Sequence, residues 1–498
     1  MFKKIASFML AVLCCAPLFL GCGSADTTDT NTNDTTEVQE TTETTVPETT
    51  RIAADLPEMN FEGKELRIYT MSHEDTEVQN DFWTQGENGE PLNDAVYARN
   101  TAIEERYNAK IKCIEEKRTE MLNKTKTAIL AGDDNWHVIN DCIRSSNDLT
   151  QSGYLIELTG LDYFDFDAQW WDQRFISDMS IGGKLYHVIG EFNTMTDSQT
   201  WGFIFNKKLV DDLNLGDFYE LVRNGTWTLD AAIEKMNATK ADLNGDGVMD
   251  VNDRWGIFTE VQNLARHLSS AGERVSSKDK NDMPMLTLNN ERAMSVIEKA
   301  YNLLRDKTVS FVAGDWSKLA VSNVYTEFII PMFMADQGLF YHTGIGNTFK
   351  HMRDMKSPYG VVPNPKFDEA QDEYYHVVAE AWATTVAIPI TCKDPDFAAF
   401  MLEALAAESV NEIRDVYHNI LFENKGLRDE DSIEMVDLII STRIYDIGLF
   451  NNWGKITDNF NAAAKATSFD FASRYASIEA AMISGMNNTI SLYEKLMK

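Results

Sequence analysis

Residues 242–253 read Asp242-Leu243-Asn244-Gly245-Asp246-Gly247-Val248-Met249-Asp250-Val251-Asn252-Asp253. Oxygen side chains stand at the first, third, fifth, ninth and twelfth places, with a glycine at the sixth for a sharp turn. Hard divalent cations take oxygen ligands, and this spacing is that of a calcium-binding loop. The expected ligands are Asp242, Asn244, Asp246, the carbonyl of Val248, Asp250 and Asp253. Four carboxylates crowded into one loop repel one another without a cation. Asp253 stands where a longer, bidentate glutamate is usual. The competing reading is an Asx-rich turn between helices that needs no metal. One such loop without a paired partner points to a structural calcium, and away from a dockerin, which needs two.

Signatures of catalysis are missing from the sequence. There is no HExxH, no GxSxG and no phosphate loop, and Gly344-Ile345-Gly346 lacks the third glycine of a dinucleotide fingerprint. Paired carboxylates abound in so acidic a chain, so glycosidase-like pairs carry no information. Cys113, Cys142 and Cys392 have neither CxxC nor metal-ligand spacing, and three buried thiols are expected in preference to a Cys113–Cys142 bridge. No cofactor is expected beyond calcium. Such a chain suits a protein that binds and releases, not an enzyme.

A net charge of −33 excludes nucleic acid as a partner and argues against adhesion to anionic lipid. The first residues, Met1-Phe2-Lys3-Lys4, an apolar run to Leu20, then Gly21-Cys22, have the pattern of a secretory signal over 1–21. The segment resembles a bacterial lipobox, with Phe19 where leucine is usual, and implies diacylation of Cys22 after cleavage. Two acyl chains anchor a protein to a membrane face without a spanning helix. From Cys22 to about residue 55 the chain is chiefly Thr, Asp, Glu, Asn and Ser, the composition of a solvated tether. The expected location is the outer face of the cytoplasmic membrane, with the lipid anchor as the sole membrane contact and the protein a monomer.

The elements that must position any site begin with Glu65–Tyr69 as a first strand, Pro91–Tyr107 as a helix and Ala109–Cys113 as a second strand. A helix over Thr119–Ala131 leads to a third strand at His137–Ile139. Strand alternating with helix is the rhythm of a parallel α/β sheet, and such sheets bind ligands beyond the carboxyl ends of their strands. That rule points to Met71–Asp75 and Asn140–Ser145. Further strands are expected between Gly183 and Leu209, and at Gly338–Tyr341, Tyr359–Pro363 and Thr384–Pro389, before an almost wholly helical C-terminal part.

Six segments then fall in order: Gln151-Ser152-Gly153-Tyr154-Leu155, Gly183-Lys184-Leu185-Tyr186, Phe205-Asn206-Lys207-Lys208-Leu209, Thr226-Trp227-Thr228, Tyr359-Gly360-Val361-Val362-Pro363 and Ile388-Pro389. In this order the chain resembles the extracellular solute-binding proteins of ABC importers, of the maltodextrin-binding type. The segment Tyr359–Tyr375 and the late run Arg428-Asp429-Glu430-Asp431-Ser432 with Tyr445-Asp446 also resemble a branch of large lipoproteins from anaerobic Gram-positive bacteria. The resemblance implies an α/β, two-lobe periplasmic-binding-protein-like fold of type II. Lobe one would take 56–197 and 384–430, and lobe two 203–378 and 431–498, with a hinge near 198–202 and 379–384. It implies a small-molecule ligand, a sugar or oligosaccharide, delivered to permease subunits in the membrane. A peptide, a polyamine or another small solute is the alternative on the same fold. A surface polysaccharide-acting enzyme, or a surface protein serving adhesion or sensing, is more remote.

Carried over residue by residue, the family's cleft falls on Ser72, His73 and Glu74, on Asp141, Arg144 and Ser145, on Gln199 and Trp201, on Thr343, and on Trp382. Sugars offer flat C–H faces edged by hydroxyls, so tryptophans and fixed polar groups are the residue types such a cleft needs. Asp141 stands where the family often places a tryptophan, so maltodextrin itself is not carried over. Trp201 is open between core and cleft, and Trp382, between Ala381 and Ala383, fits the cleft better. Asp141 and Arg144 could instead pair with each other, a lone His73 has an ordinary surface or core reading, and Trp170-Trp171 reads as packing.

Overall fold

The structure is a computed structural model that describes residues 51–75, 81–316, 323–423 and 430–496. The expected signal, the lipidation site Cys22 and the tether as far as residue 50 lie outside the described residues. Residues 51–55, which the sequence assigns to the tether, are docked. Arg51 pairs with Glu408 and Glu412, and Ile52 N–H donates to Asn411 Oδ1 at 2.9 Å.

Eleven strands form in chain order: β1 Lys64–Met71, β2 Ala109–Glu116, β3 Val138–Cys142, β4 Trp201–Asn206, β5 Trp255–Thr259, β6 Ser276–Lys278, β7 Pro284–Leu286, β8 Ser310–Val312, β9 Gly338–Gly344, β10 Tyr359–Val362 and β11 Thr384–Ala387. One sheet has the order β11-β3-β1-β2, with β1 parallel to β2 and β3, and β11 antiparallel to β3. The second has the order β10-β4-β9-β5-β8, in which β5, β8 and β9 run parallel and β4 runs antiparallel to both of its neighbours, β9 and β10. β6 and β7 form a separate hairpin.

The first sheet is built as the sequence rhythm predicts. Helix α1, Pro91–Tyr107, starts with a proline where its missing N–H costs nothing, and Asn108 at φ 46° ends it in the left-handed region. Ala95, Val96, Arg99, Asn100, Ile103 and Tyr107 recur at helical spacing and are buried, packed on the helix Pro395–Glu412. Helix α2, Arg118–Ala131, stops at Gly132 (φ 77°) and returns the chain to β3, every residue of which is buried. Helix α3, Ile143–Gln151, follows β3 directly.

The five-stranded sheet is covered on both faces. Ile204, Phe258 and Tyr341 meet one core, and Phe203, Phe205, Ile257 and Trp227 another. Its strands β5 and β8 were not read from sequence, because each is a short, wholly buried run without period-two alternation. Of the expected strand-rich stretch from Gly183 to Leu209, only β4 is a regular strand. The part before it makes isolated bridges such as Val188–Val386.

The chain leaves the first sheet after β3, builds the second, and returns at β11. The two crossovers lie against each other: Thr200 and Val378 form an antiparallel bridge, Trp201 N–H donates to Val377 O at 2.9 Å and Ala379 N–H to Gln199 O at 3.0 Å. A later segment joins them through a parallel His376–Arg443 bridge. There Arg443 is buried in contact with Asp172 and Asp197.

Candidate functional site

The carboxyl ends of the parallel strands of the first sheet bring four groups to one edge. After β1, Ser72 Oγ accepts Glu74 N–H at 3.2 Å, and His73 stacks on Trp83 with ring centres 3.9 Å apart and 4° between planes. His73 Nδ1 sits 2.8 Å from Glu115 Oε1, while Glu74 is exposed. After β2, the first residue of α2 is Arg118, whose guanidinium lies 4.2 Å from the ring centre of Trp382. After β3, Arg144 pairs with Glu380. Trp382 itself is half-buried just before β11, its N–H bonded to Ala379 O at 2.8 Å.

Asp141 and Arg144 do not pair with each other. Asp141 lies beneath the edge, 0 % exposed, with Oδ1 accepting Cys142 N–H at 2.6 Å and Oδ2 buried without a hydrogen bond of ordinary geometry among the described residues. Burial pushes its pKa up to about 6. Ser145 is also buried, 3.3 Å from Cys142 Sγ. All three of Cys113, Cys142 and Cys392 are unpaired thiols, and burial raises that of Cys142 to about 12.

On the second sheet, Trp201 opens β4 and Thr343 nearly closes β9, so they share an edge with the ends of β5 and β8. Trp201 is only 7 % exposed and stands edge-on to the buried His342 at 5.4 Å. Its ring carries the Arg266 guanidinium at 3.6 Å, which is ion-paired with Glu260 in turn. Tyr325 Oη donates to the same Glu260 at 2.5 Å. Burial depresses the neighbouring His267 to about 4, so that imidazole is neutral at physiological pH. Thr343 is buried and accepts Asn347 Nδ2 at 2.7 Å, and Gln199 is half-buried on the crossover.

The sequence reading missed Arg118, Arg266, Glu260 and Tyr325. Arg118 was within reach of the rule already used for β1 and β3, since it lies two residues beyond the end of β2. Arg266 follows β5, a wholly buried strand without the alternation that marks one in sequence.

The first crossover is fixed to the first sheet by Asp81, 2 % exposed. Its Oδ2 accepts Asn140 Nδ2 at 3.1 Å, Asn193 Nδ2 at 3.1 Å and Thr384 Oγ1 at 2.5 Å, and its Oδ1 accepts Met195 N–H at 3.3 Å. β3, β11 and the short helix Thr194–Ser198 thus share one carboxylate, whose pKa burial raises. Close approach is required on the other side too. A Cβ on Gly346 would meet Ser198 Oγ at 1.8 Å and Ser198 O at 3.0 Å.

Trp170 and Trp171 are packing residues, as read: both indole N–H groups donate at 3.0 Å to the buried Glu403. Beside them lies a cavity of about 310 Å³, lined by Glu191, Asp197, Arg414, Tyr417 and Arg443 among others.

The 242–253 loop is closed by its own amides. Gly245 and Gly247 N–H donate to the two oxygens of Asp242 at 2.6 and 2.8 Å, and Asp246 N–H to Asn244 at 2.9 Å. Val248 N–H donates to Asp246 at 2.8 Å, and Leu243 and Asp250 N–H to Asp253 at 2.9 and 2.7 Å. The donor set is all oxygen, of the type calcium takes. Among the described residues no three His, Cys, Asp or Glu side chains are gathered as metal ligands.

No model of a known protein family matches the chain, and no curated protein does. Solved structures do. An ABC substrate-binding protein from Listeria monocytogenes in complex with cycloalternan is 15 % identical, with 87 % of this chain and 99 % of that one covered and a TM-score of 0.51. A cyclo/maltodextrin-binding protein complexed with maltotetraose is 11 % identical over 88 % and 98 % of the two chains, TM-score 0.53. An ABC transporter solute-binding protein from Thermotoga lettingae bound with α-D-tagatose is 12 % identical over 86 % and 100 %, TM-score 0.51. With two α/β sheets joined by paired crossovers and a helical C-terminal part, this chain has the two-lobe, type II periplasmic-binding-protein-like fold of these proteins.

Proposed function

We propose that this protein is the extracytoplasmic solute receptor of an ABC importer, and that it binds a carbohydrate between its two sheets without chemical turnover. The observation that carries the reading is the pair of tryptophans at the crossovers. Trp201 is one residue and Trp382 four residues from the Thr200–Val378 bridge, each at the carboxyl-end edge of its own sheet. A ligand that touches both edges stabilises the closed arrangement over the open one, because only a difference in affinity between two states shifts their balance. Sugar faces stack on indoles that keep some exposure, as Trp382 does, and Glu260, Tyr325, Asn347 and Glu380 at the two edges carry groups that suit hydroxyls.

In this proposal the lobes take the limits drawn from the sequence, Cys22 carries the lipid anchor, and permease subunits accept the ligand. Among the described residues no helix is long and apolar enough to cross a membrane. Calcium on Asp242, Asn244, Asp246, Val248 O, Asp250 and Asp253 is a structural ion in the same proposal, supported by the spacing and the all-oxygen donor set.

The test is a thermal-shift panel of mono- and oligosaccharides, with peptides and polyamines as controls, each with calcium and with chelator. A ligand that binds only the folded state raises the melting temperature by mass action. A shift with a saccharide is the expected result. A shift with peptides or polyamines and none with any saccharide overturns the carbohydrate reading.

A further inference from the structure

Three guanidinium groups stand at the two edges. Two are neutralised: Arg144 by Glu380, and Arg266 by Glu260. Arg118 is different. It is half-buried and sits over the Trp382 ring, 4.2 Å from its centre, and among the described residues no carboxylate reaches its guanidinium as an ion-pair partner. Asp75, beyond the end of β1, accepts the Arg118 backbone N–H at 2.6 Å rather than pairing with its side chain. Asp141 lies within electrostatic range but is fully buried, with its Oδ1 already taken by Cys142 N–H.

Among the described residues, then, Arg118 keeps its positive charge without a paired carboxylate, in a chain of net charge −33. A guanidinium stacked on an indole keeps its N–H donors directed outward in the plane of the group. That fork matches the two oxygens of a carboxylate or of a sulfate ester. The same contact disfavours a cationic ligand such as a polyamine. Resting on the carbohydrate reading above, we infer that the ligand is an acidic saccharide, whose carboxylate or sulfate is received by Arg118 beside Trp382. A uronic acid or a sulfated sugar offers both required surfaces, an apolar ring face and an anion on the same residue.

The test is isothermal titration of the whole protein with matched probes. Galacturonic and glucuronic acid oligosaccharides are set beside their methyl esters, and sulfated disaccharides beside their unsulfated parents. Esterification removes the charge and leaves the sugar skeleton. The expected result is an acidic member bound roughly ten- to a hundredfold more tightly than its neutral partner, as a charge-assisted hydrogen-bonded pair supplies. Arg118→Gln then abolishes that preference, while Arg118→Lys, which keeps the charge and loses the fork, retains part of it. Melting temperatures without ligand, unchanged in both variants, show that the fold is intact. A preference confined to the sulfated probes names sulfate as the anion, and one confined to uronates names carboxylate. Neutral saccharides bound as tightly as acidic ones, with Arg118→Gln without effect, overturn the inference and leave the carbohydrate reading standing. Binding of no saccharide of either kind, with a peptide or polyamine bound instead, overturns both.

Discussion

Glu403 is a carboxylate whose burial has a measurable consequence. It is 1 % exposed and accepts the indole N–H groups of Trp170 and Trp171 at 3.0 Å each, and burial raises its pKa to about 7. The unfolded chain titrates Glu403 at the ordinary glutamate value of 4.5, so between these two values the folded state holds the extra proton. Stability from this group is therefore fully present below about 4.5 and is lost as pH rises through about 7. From pH 5 to pH 8 the two values give a loss of about 2.5 kcal/mol assignable to this group. Glu403→Gln removes the titration and leaves one indole facing an amide NH₂, at a fixed cost of about 1 kcal/mol. Urea unfolding of both proteins at pH 5, 6, 7 and 8 reads the difference directly. The variant is expected to be the less stable at pH 5 and to match or exceed the parent at pH 8. Parallel pH profiles for the two proteins would refute the reasoning, because Glu403 would then titrate alike in both states.

Asp81→Ala strips an acceptor from Asn140, Asn193 and Thr384 at the first crossover, and is expected to lower unfolding free energy by about 3 kcal/mol in denaturant melts. Gly346→Ala forces a Cβ into Ser198, and overpacking of this kind costs about 1–3 kcal/mol, visible as a lower melting temperature. Asp242→Ala, which removes the acceptor of two loop amides, is expected to abolish any stabilisation by calcium; a calcium-dependent shift that survives the substitution would place the ion elsewhere.

Local pattern reached some elements and not others. α1 was legible to the residue at both ends, because Pro91 marks its start and Asn108 its stop. β1 and β2 set apolar residues between charged ones at the spacing of a strand and β9 opens on an apolar run, whereas β6 and β7 are three residues each and exist only as a pair. The site divided in the same way. Trp201 and Trp382 announce themselves by residue type, but what lies on them, Arg266 and Arg118, depends on which strand ends come together. Trp201, open in the sequence between core and cleft, is buried at 7 % exposure and lies next to the crossover. The Asp81 network could not be read from the sequence. Its partners Asn140, Asn193 and Thr384 are 59, 112 and 303 residues away, and only the tertiary fold brings them to one carboxylate.

The central claim is that one saccharide bridges the two sheets at the crossovers. It is tested most directly by titrating a saccharide found in the thermal-shift panel into the parent protein, Trp201→Ala and Trp382→Ala. Loss of an aromatic contact of this kind is worth about 0.5–1.5 kcal/mol beyond buried area, so each substitution is predicted to weaken binding by at least about two- to tenfold. Binding that survives both substitutions unchanged would contradict the claim, and would move the ligand away from the crossovers.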